Sequence, residues 1–205
     1  IGNDGHLMID VGQIFVEDIE AAAARLPALE QTQAYWLEEP FSGHAFEAYA
    51  DLAARSPNVG IAGGEAAHNI AMARHLMDFG KVKFVQIDCG RIGGIGPAFE
   101  VAQLAQVRGV TYVNHTFTTH LALSASLQPF AGIADARICE YPAHPSALAL
   151  AVVANSITRN LAGEVFAPDA PGLGVKVDTD ALKPYLVDTE IKVGGKVIYA
   201  TPSLG

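Results

Sequence analysis

The chain has 205 residues, 50% hydrophobic and 17% charged, with 13 Lys and Arg against 22 Asp and Glu for a formal net charge of −9. That balance suits one compact globular domain with a sizeable core and excludes a disordered or fibrous chain. Without clustered Lys and Arg it argues against nucleic acid; no apolar run approaches the ~18 residues of a membrane helix, and without signal-peptide regions a cytoplasmic location is the expectation.

Taken in chain order, short apolar runs alternate with stretches of helical spacing. A first strand is expected from Leu7 to Val11, followed by a helix in which Ile19, Ala22, Ala23, Leu26 and Leu29 share a face. A strand from Tyr35 to Leu37 precedes a helix carrying Phe46, Tyr49, Leu52 and Ala53, and a strand from Val59 to Ala62 precedes a helix from Ile70 to Phe79. The run Phe84 to Ile87 leads into a helix from Ala98 to Arg108, with Pro97 where a first helical residue belongs and Gly109 where the helix should stop. A strand from Val110 to Val113, a helix from Thr119 to Leu127, a strand from Arg137 to Cys139 and a helix from Ser146 to Ala154 complete the alternation. Most of these strands are continuous apolar runs, as parallel strands buried on both faces should be. Cys89 and Cys139, 50 residues apart in apolar runs, are expected to be buried reduced thiols.

The remainder reads differently. Ala167 to Gly174 is a Pro/Gly-rich loop, Thr179 to Leu186 is a short helix, and Glu190 to Tyr199 is a hairpin turning at Gly194-Gly195.

Six polar residues fall at the ends of the six expected strands: Asp10, Glu38, Glu65, Asp88, His115 and Glu140, at intervals of 23 to 28 residues. Every strand end of a (β/α)8 barrel faces one pocket, whereas an open doubly wound sheet draws its ligand groups from strands beside a switch point. The ladder therefore favours an α/β fold of the TIM-barrel type, represented by six β-α units that correspond to strands 3 to 8. Six units cannot close eight strands, so two units are expected upstream of Ile1. Residues 1–160 are expected to form the partial barrel with the site, and residues 161–205 the loop, short helix and hairpin that pack on it or on what precedes it.

Asp10, Glu38 and Glu65 end three consecutive strands. Carboxylates brought together repel unless they are protonated or bind a cation, and hard oxygen donors suit Mg2+, with Mn2+ as the alternative. The competing reading is that each acid only caps the helix after it. Asp88 and His115 come next, and a carboxylate beside an imidazole fixes its tautomer and raises its pKa, giving a general base or acid. His120 is the rival histidine, with a local hydrogen bond near the helix start as its plainer role. Glu140 either hydrogen-bonds the substrate's carboxylate side or pairs with a base such as Arg137. His68, close after Glu65, and Arg91, before Gly93-Gly94, are candidate substrate contacts, Arg91 through an anion at a helix start. Lys81 and Lys83 lie at the N-terminal end of their strand, the stability face of a barrel, and are set aside as catalytic groups. Trp36 is read as packing.

The motifs LMIDVGQ, YWLEEPF, IAGGEAAHN, VQIDCGRIGGI, VNHTFTTHL and ICEYP, in that order, resemble the C-terminal barrel of the mandelate racemase subgroup of the enolase superfamily, over nearly the whole chain. The resemblance implies Mg2+ ligands at Asp10, Glu38 and Glu65, a base dyad at Asp88 and His115, and a substrate-side acid at Glu140. Counting back from Glu140 leaves room for His120 as the family's histidine. Gly12 stands where many relatives have Asn. The family also carries an N-terminal capping domain and a lysine pair on its second barrel strand, which would belong to a missing N-terminal portion of the same protein.

The family reaction removes the proton alpha to a carboxylate, giving an enediolate that Mg2+ stabilises. The expected activity is acid-sugar dehydration, a lyase reaction on a small-molecule carboxylate, in a homo-oligomer. A racemase, epimerase or cycloisomerase is the alternative within the superfamily, and a catalytically incomplete metal-binding barrel fragment is the alternative of another class.

Overall fold

The computed structural model describes residues 2, 5–133 and 138–202. The chain forms two compact units, Ile1–Thr116 with Ala125–Glu140, and Phe117–Ser124 with Tyr141–Gly205.

The first unit is built on five parallel strands: β1 (Leu7–Asp10), β2 (Ala34–Glu38), β3 (Gly60–Gly63), β4 (Phe84–Ile87) and β5 (Thr111–Asn114). They pair in strict sequence order, β1-β2-β3-β4-β5. An order without a reversal has no switch point, which is the topology of a barrel arc and not of a doubly wound sheet.

Between the strands lie α1 (Ile19–Ala23), α2 (Leu26–Gln31), α3 (Phe46–Arg55), α4 (Ile70–Asp78), α5 (Cys89–Ile92) and α6 (Ile95–Arg108). The single helix expected from Ile19 to Leu29 is two, because Pro27 opens α2 and cannot continue the hydrogen bonding of α1. Asn69 caps α4 by accepting from the Met72 N–H at 2.9 Å. Gly109, at φ +67, ends α6 in the left-handed conformation. The helix α6 starts earlier than expected, with Pro97 inside its first turn, where a missing N–H costs nothing.

The two faces of the sheet carry different clusters. One face, with Leu37, Ile61, Val85, Ile87 and Tyr112, packs against the helices. Fully burying a Leu, Ile or Val there contributes ~1.5–3 kcal/mol per side chain. The other face carries Trp36, Ala62, Phe84 and Val113, flanked by Met8, Tyr35 and Ile138. Because side chains alternate along a strand, residues two or four beyond this second cluster project to the same side. Asp10 follows Met8, Glu38 follows Trp36, Asp88 follows Phe84, and His115 follows Val113 at those intervals.

The sixth expected strand, Arg137 to Cys139, is not formed at its described residues. Ile138 and Cys139 have no strand structure, and Arg137 lies outside the described residues. The backbone of Glu140 is paired with the Asn114 side chain, which takes the place of a strand-to-strand ladder. Both cysteines are free, but Cys89 begins a helix instead of sitting in a strand, and Cys139 is only half-buried.

In the second unit, α7 (His120–Leu127) contributes its first residues, followed by α8 (Ala147–Ala151), α9 (Thr179–Leu182) and a hairpin of β6 (Glu190–Val193) and β7 (Lys196–Ala200). Gly194 and Gly195, at φ +57 and +80, form the two-residue turn that a type I′ hairpin requires. Among the described residues no helix is long and apolar enough to cross a membrane.

Candidate active site

Register brings the ladder residues side by side. Asp10 and Glu38 are direct partners across β1 and β2, and Glu38 is the partner of Ala62. Ile87 pairs with Asn114, and the His115 N–H continues that pairing to the Ile87 carbonyl at 2.9 Å, so Asp88 and His115 leave adjacent strands together. Glu65 departs from the period of two. It follows Gly64, whose φ of +128 turns the chain after β3.

Each acid has a distinct environment. Asp10 is exposed, and its Oδ1 accepts from the Gly12 N–H at 2.8 Å. Glu38 is buried, with its Oε2 accepting from Trp36 Nε1 at 3.1 Å. The lone tryptophan therefore does more than pack. Burial pushes the Glu38 carboxyl up to about 7; Gln86 opposes this by hydrogen bonding, while the charges of Asp10, Glu140 and Glu65 add to it.

Glu65 is bound on both oxygens. Oε2 lies 3.1 Å from His115 Nε2, and Oε1 lies 2.5 Å from Arg91 Nη1. The hydrogen bond from His115, assisted by Arg91 against the effect of burial, holds its carboxyl down at about 2. Arg91, proposed from sequence as an anion receiver, is thus engaged with Glu65.

His115 bridges two carboxylates. Its Nδ1 is 2.8 Å from Asp88 Oδ2 while Nε2 faces Glu65. Burial alone would push the imidazolium down, but the hydrogen bonds to Asp88 and Glu65 outweigh it and carry the ring up to about 10. Asp88 Oδ1 accepts from the N–H groups of Gly90 and Arg91 at 2.7 and 3.0 Å. Burial raises the Asp88 carboxyl, yet the His115 bond and these N–H groups bring it below the usual range. A carboxylate so fixed orients the imidazole it faces.

Glu140 joins the same neighbourhood. Its Oε2 accepts from the Thr116 N–H at 2.5 Å. Its carboxyl is raised chiefly by burial, with the Thr116 bond acting against that. The competing pairing with Arg137 falls outside the described residues.

His68 is exposed in the turn before α4. His120 belongs to the second unit, where its Nδ1 accepts from the Ile157 N–H at 2.9 Å and burial lowers its pKa. That bond marks a neutral ring holding backbone.

Sequence reasoning passed over Gln86, Asn114, Thr116 and Glu39. Glu39 is buried at φ +42, accepts from Gln13 Nε2 at 2.9 Å, and leaves Oε1 buried without a partner. Gln86 Oε1 and Thr116 Oγ1 are likewise buried and unpartnered. A signal existed for Gln86: it is the one polar residue in the run FVQI, two residues before Asp88.

Among the described residues, no three His, Cys, Asp or Glu side chains are arranged to hold a metal ion as they stand. The donor chemistry nevertheless fits a hard divalent cation. Asp10 and Glu38 offer carboxylate oxygens on paired strand ends, Glu65, two residues past β3, would add its own on release from Arg91 or His115, and the charge crowding at Glu38 is what such a cation relieves.

The family model for enolase C-terminal domain-like proteins matches residues 1–181. A crystal structure described as a predicted mandelate racemase from Rhodobacter sphaeroides is 62% identical, with a TM-score of 0.89 over 98% of this chain and 51% of its own. L-talarate/galactarate dehydratase from Salmonella typhimurium LT2, solved with Mg and L-lyxarohydroxamate, is 26% identical, with a TM-score of 0.74 over 88% of this chain and 43% of its own. The D-galactarolactone cycloisomerase of Agrobacterium fabrum is 30% identical over 158 residues, 73% of this chain and 41% of the relative. The chain spans about half the length of the relatives it matches.

Proposed function

Since the chain belongs to the enolase C-terminal domain-like family, we propose that it carries the proton-abstraction site of an enzyme acting alpha to the carboxylate of an acid sugar, with dehydration as the outcome. The observation that carries this reading is His115 set between Asp88 and Glu65.

In this reading Asp10, Glu38 and Glu65 hold Mg2+. Bound there, the ion supplies Lewis-acid stabilisation to negative charge on the substrate carboxylate. The chain's own residues move the protons. Asp88 keeps Nδ1 of His115 as a donor, so Nε2 is the atom that exchanges a proton with substrate. Base action requires the Nε2 bond to Glu65 to open and the ring, charged in this arrangement, to release its Nε2 proton to solvent. Nε2 then takes the alpha proton, and the resulting imidazolium returns it to the departing beta-hydroxyl. The balance is one C–H and one C–O bond broken, one C=C bond formed and one water released. A ring whose charged form persists up to about 10 is well suited to the second half of that sequence. Glu140, raised by burial, serves as a hydrogen-bond donor on the carboxylate side when protonated.

Two of the relatives are named for acting on galactarate or its lactone, so a six-carbon aldarate is the substrate class we favour. Cycloisomerisation is the second reading, supported by the 30% identical cycloisomerase. Titration calorimetry tests the metal assignment: Mg2+ should bind the chain, and Glu38→Gln should weaken binding at least tenfold. Binding that is absent, or unaffected by Glu38→Gln, overturns it.

A further inference from the structure

Asn114, at the last position of β5, is fully buried at 0% exposure. Its side-chain oxygen accepts from the Glu140 N–H at 2.9 Å, and its Nδ2 donates to the Glu140 carbonyl at 3.1 Å. Nδ2 also donates to Ser126 Oγ at 3.0 Å. A side-chain amide has the same donor and acceptor as a peptide group, so this pair of bonds reproduces the two-bond exchange of a strand pair at a place where no strand forms. Two residues further on, the Thr116 N–H binds the Glu140 carboxylate at 2.5 Å. Between them stands His115.

We propose that Asn114 is a positioning residue that fixes Glu140 against the His115 dyad, by clamping the Glu140 main chain so that its carboxylate meets the Thr116 N–H. Three consecutive residues then register the proton carrier and the substrate-side acid to each other: the Asn114 amide holds the backbone, the His115 ring carries the proton, and the Thr116 N–H receives the carboxylate. Asn114 reaches the reaction only through Glu140. The single residue before the histidine thus does locally what a sixth ladder would do over several residues. This inference rests on the reading of Glu140 as the substrate-side acid.

The test is carbon-13 NMR of the Glu140 carboxyl, titrated in the unsubstituted chain, in Asn114→Ala and in Asn114→Ser. Loss of the clamp frees the carboxylate from Thr116, the largest influence opposing burial, so the Glu140 midpoint in Asn114→Ala should rise by about one pH unit. Ser retains one hydrogen-bonding atom and should give a smaller rise. An unchanged midpoint in a folded variant overturns the proposal. If Asn114→Ala does not fold, Asn114→Ser decides alone, a rise supporting the proposal and no rise overturning it. Because the titration needs no turnover, failure of the proposed reaction, seen as no alpha-proton exchange in galactarate by the unsubstituted chain, remains separate from failure of the clamp.

Discussion

At the scale of single residues, the charge on His115 and the charge on Glu65 stabilise the fold in opposite pH directions. Glu65 is lowered from 4.5 to about 2, so its contribution is fully present above 4.5 and is lost as pH falls through about 2. His115 is raised from 6.5 to about 10, so its contribution is fully present below 6.5 and is lost as pH rises through about 10. The pair therefore stabilises most between 4.5 and 6.5. Glu38 acts within the same range: raised from 4.5 to about 7, it favours the fold below 4.5 and loses that advantage as pH rises through about 7. Melting temperature measured without added metal should fall from pH 4.5 to 7, and Glu38→Gln should flatten the decline. A wild-type profile that rises over this range contradicts the placement of Glu38. The residue types at the strand ends were legible in the sequence because polar residues interrupt apolar runs at regular intervals. The partner of Arg91 was not, since its ion pair with Glu65 joins residues 26 apart in the chain and leaves no local pattern.

At the scale of elements, five strands were readable because each is built on a short apolar run; β3 and β4 are buried on both faces, and β4 falls at its expected limits. The break between α1 and α2 was also available in principle, through Pro27. The failure at Ile138 and Cys139 has a different origin. Their apolar character suits a strand, and Ile138 does pack with the inner cluster, but the pairing is made by the Asn114 side chain, which has no periodicity to read. Gly64 is where element geometry meets the site. A Cβ there would lie 2.8 Å from the Gln86 carbonyl oxygen, at a φ of +128 that L residues rarely adopt. Gly64→Ala should lower stability by about 1–3 kcal/mol and displace Glu65. Denaturant unfolding reads the first effect and loss of Mg2+ affinity the second; a variant as stable as wild type contradicts the strain described at this turn.

At the scale of the whole molecule, the sequential parallel order and the family match place the chain in the barrel half of proteins about twice its length. The ladder was legible at this scale because barrel topology turns a spacing along the chain into a shared mouth. What the spacing could not convey is the hierarchy within the mouth, where Glu65 is divided between Arg91 and His115, Glu38 is buried beside Gln86, and Glu140 is held through Asn114 and Thr116. The proposed proton abstraction depends on His115 as the proton carrier. Its most direct test is proton NMR of galactarate in D2O with Mg2+, comparing the chain with His115→Asn. The alpha proton should exchange with the unsubstituted chain and fall below detection with His115→Asn while calorimetric Mg2+ binding survives; exchange that persists in His115→Asn contradicts the account.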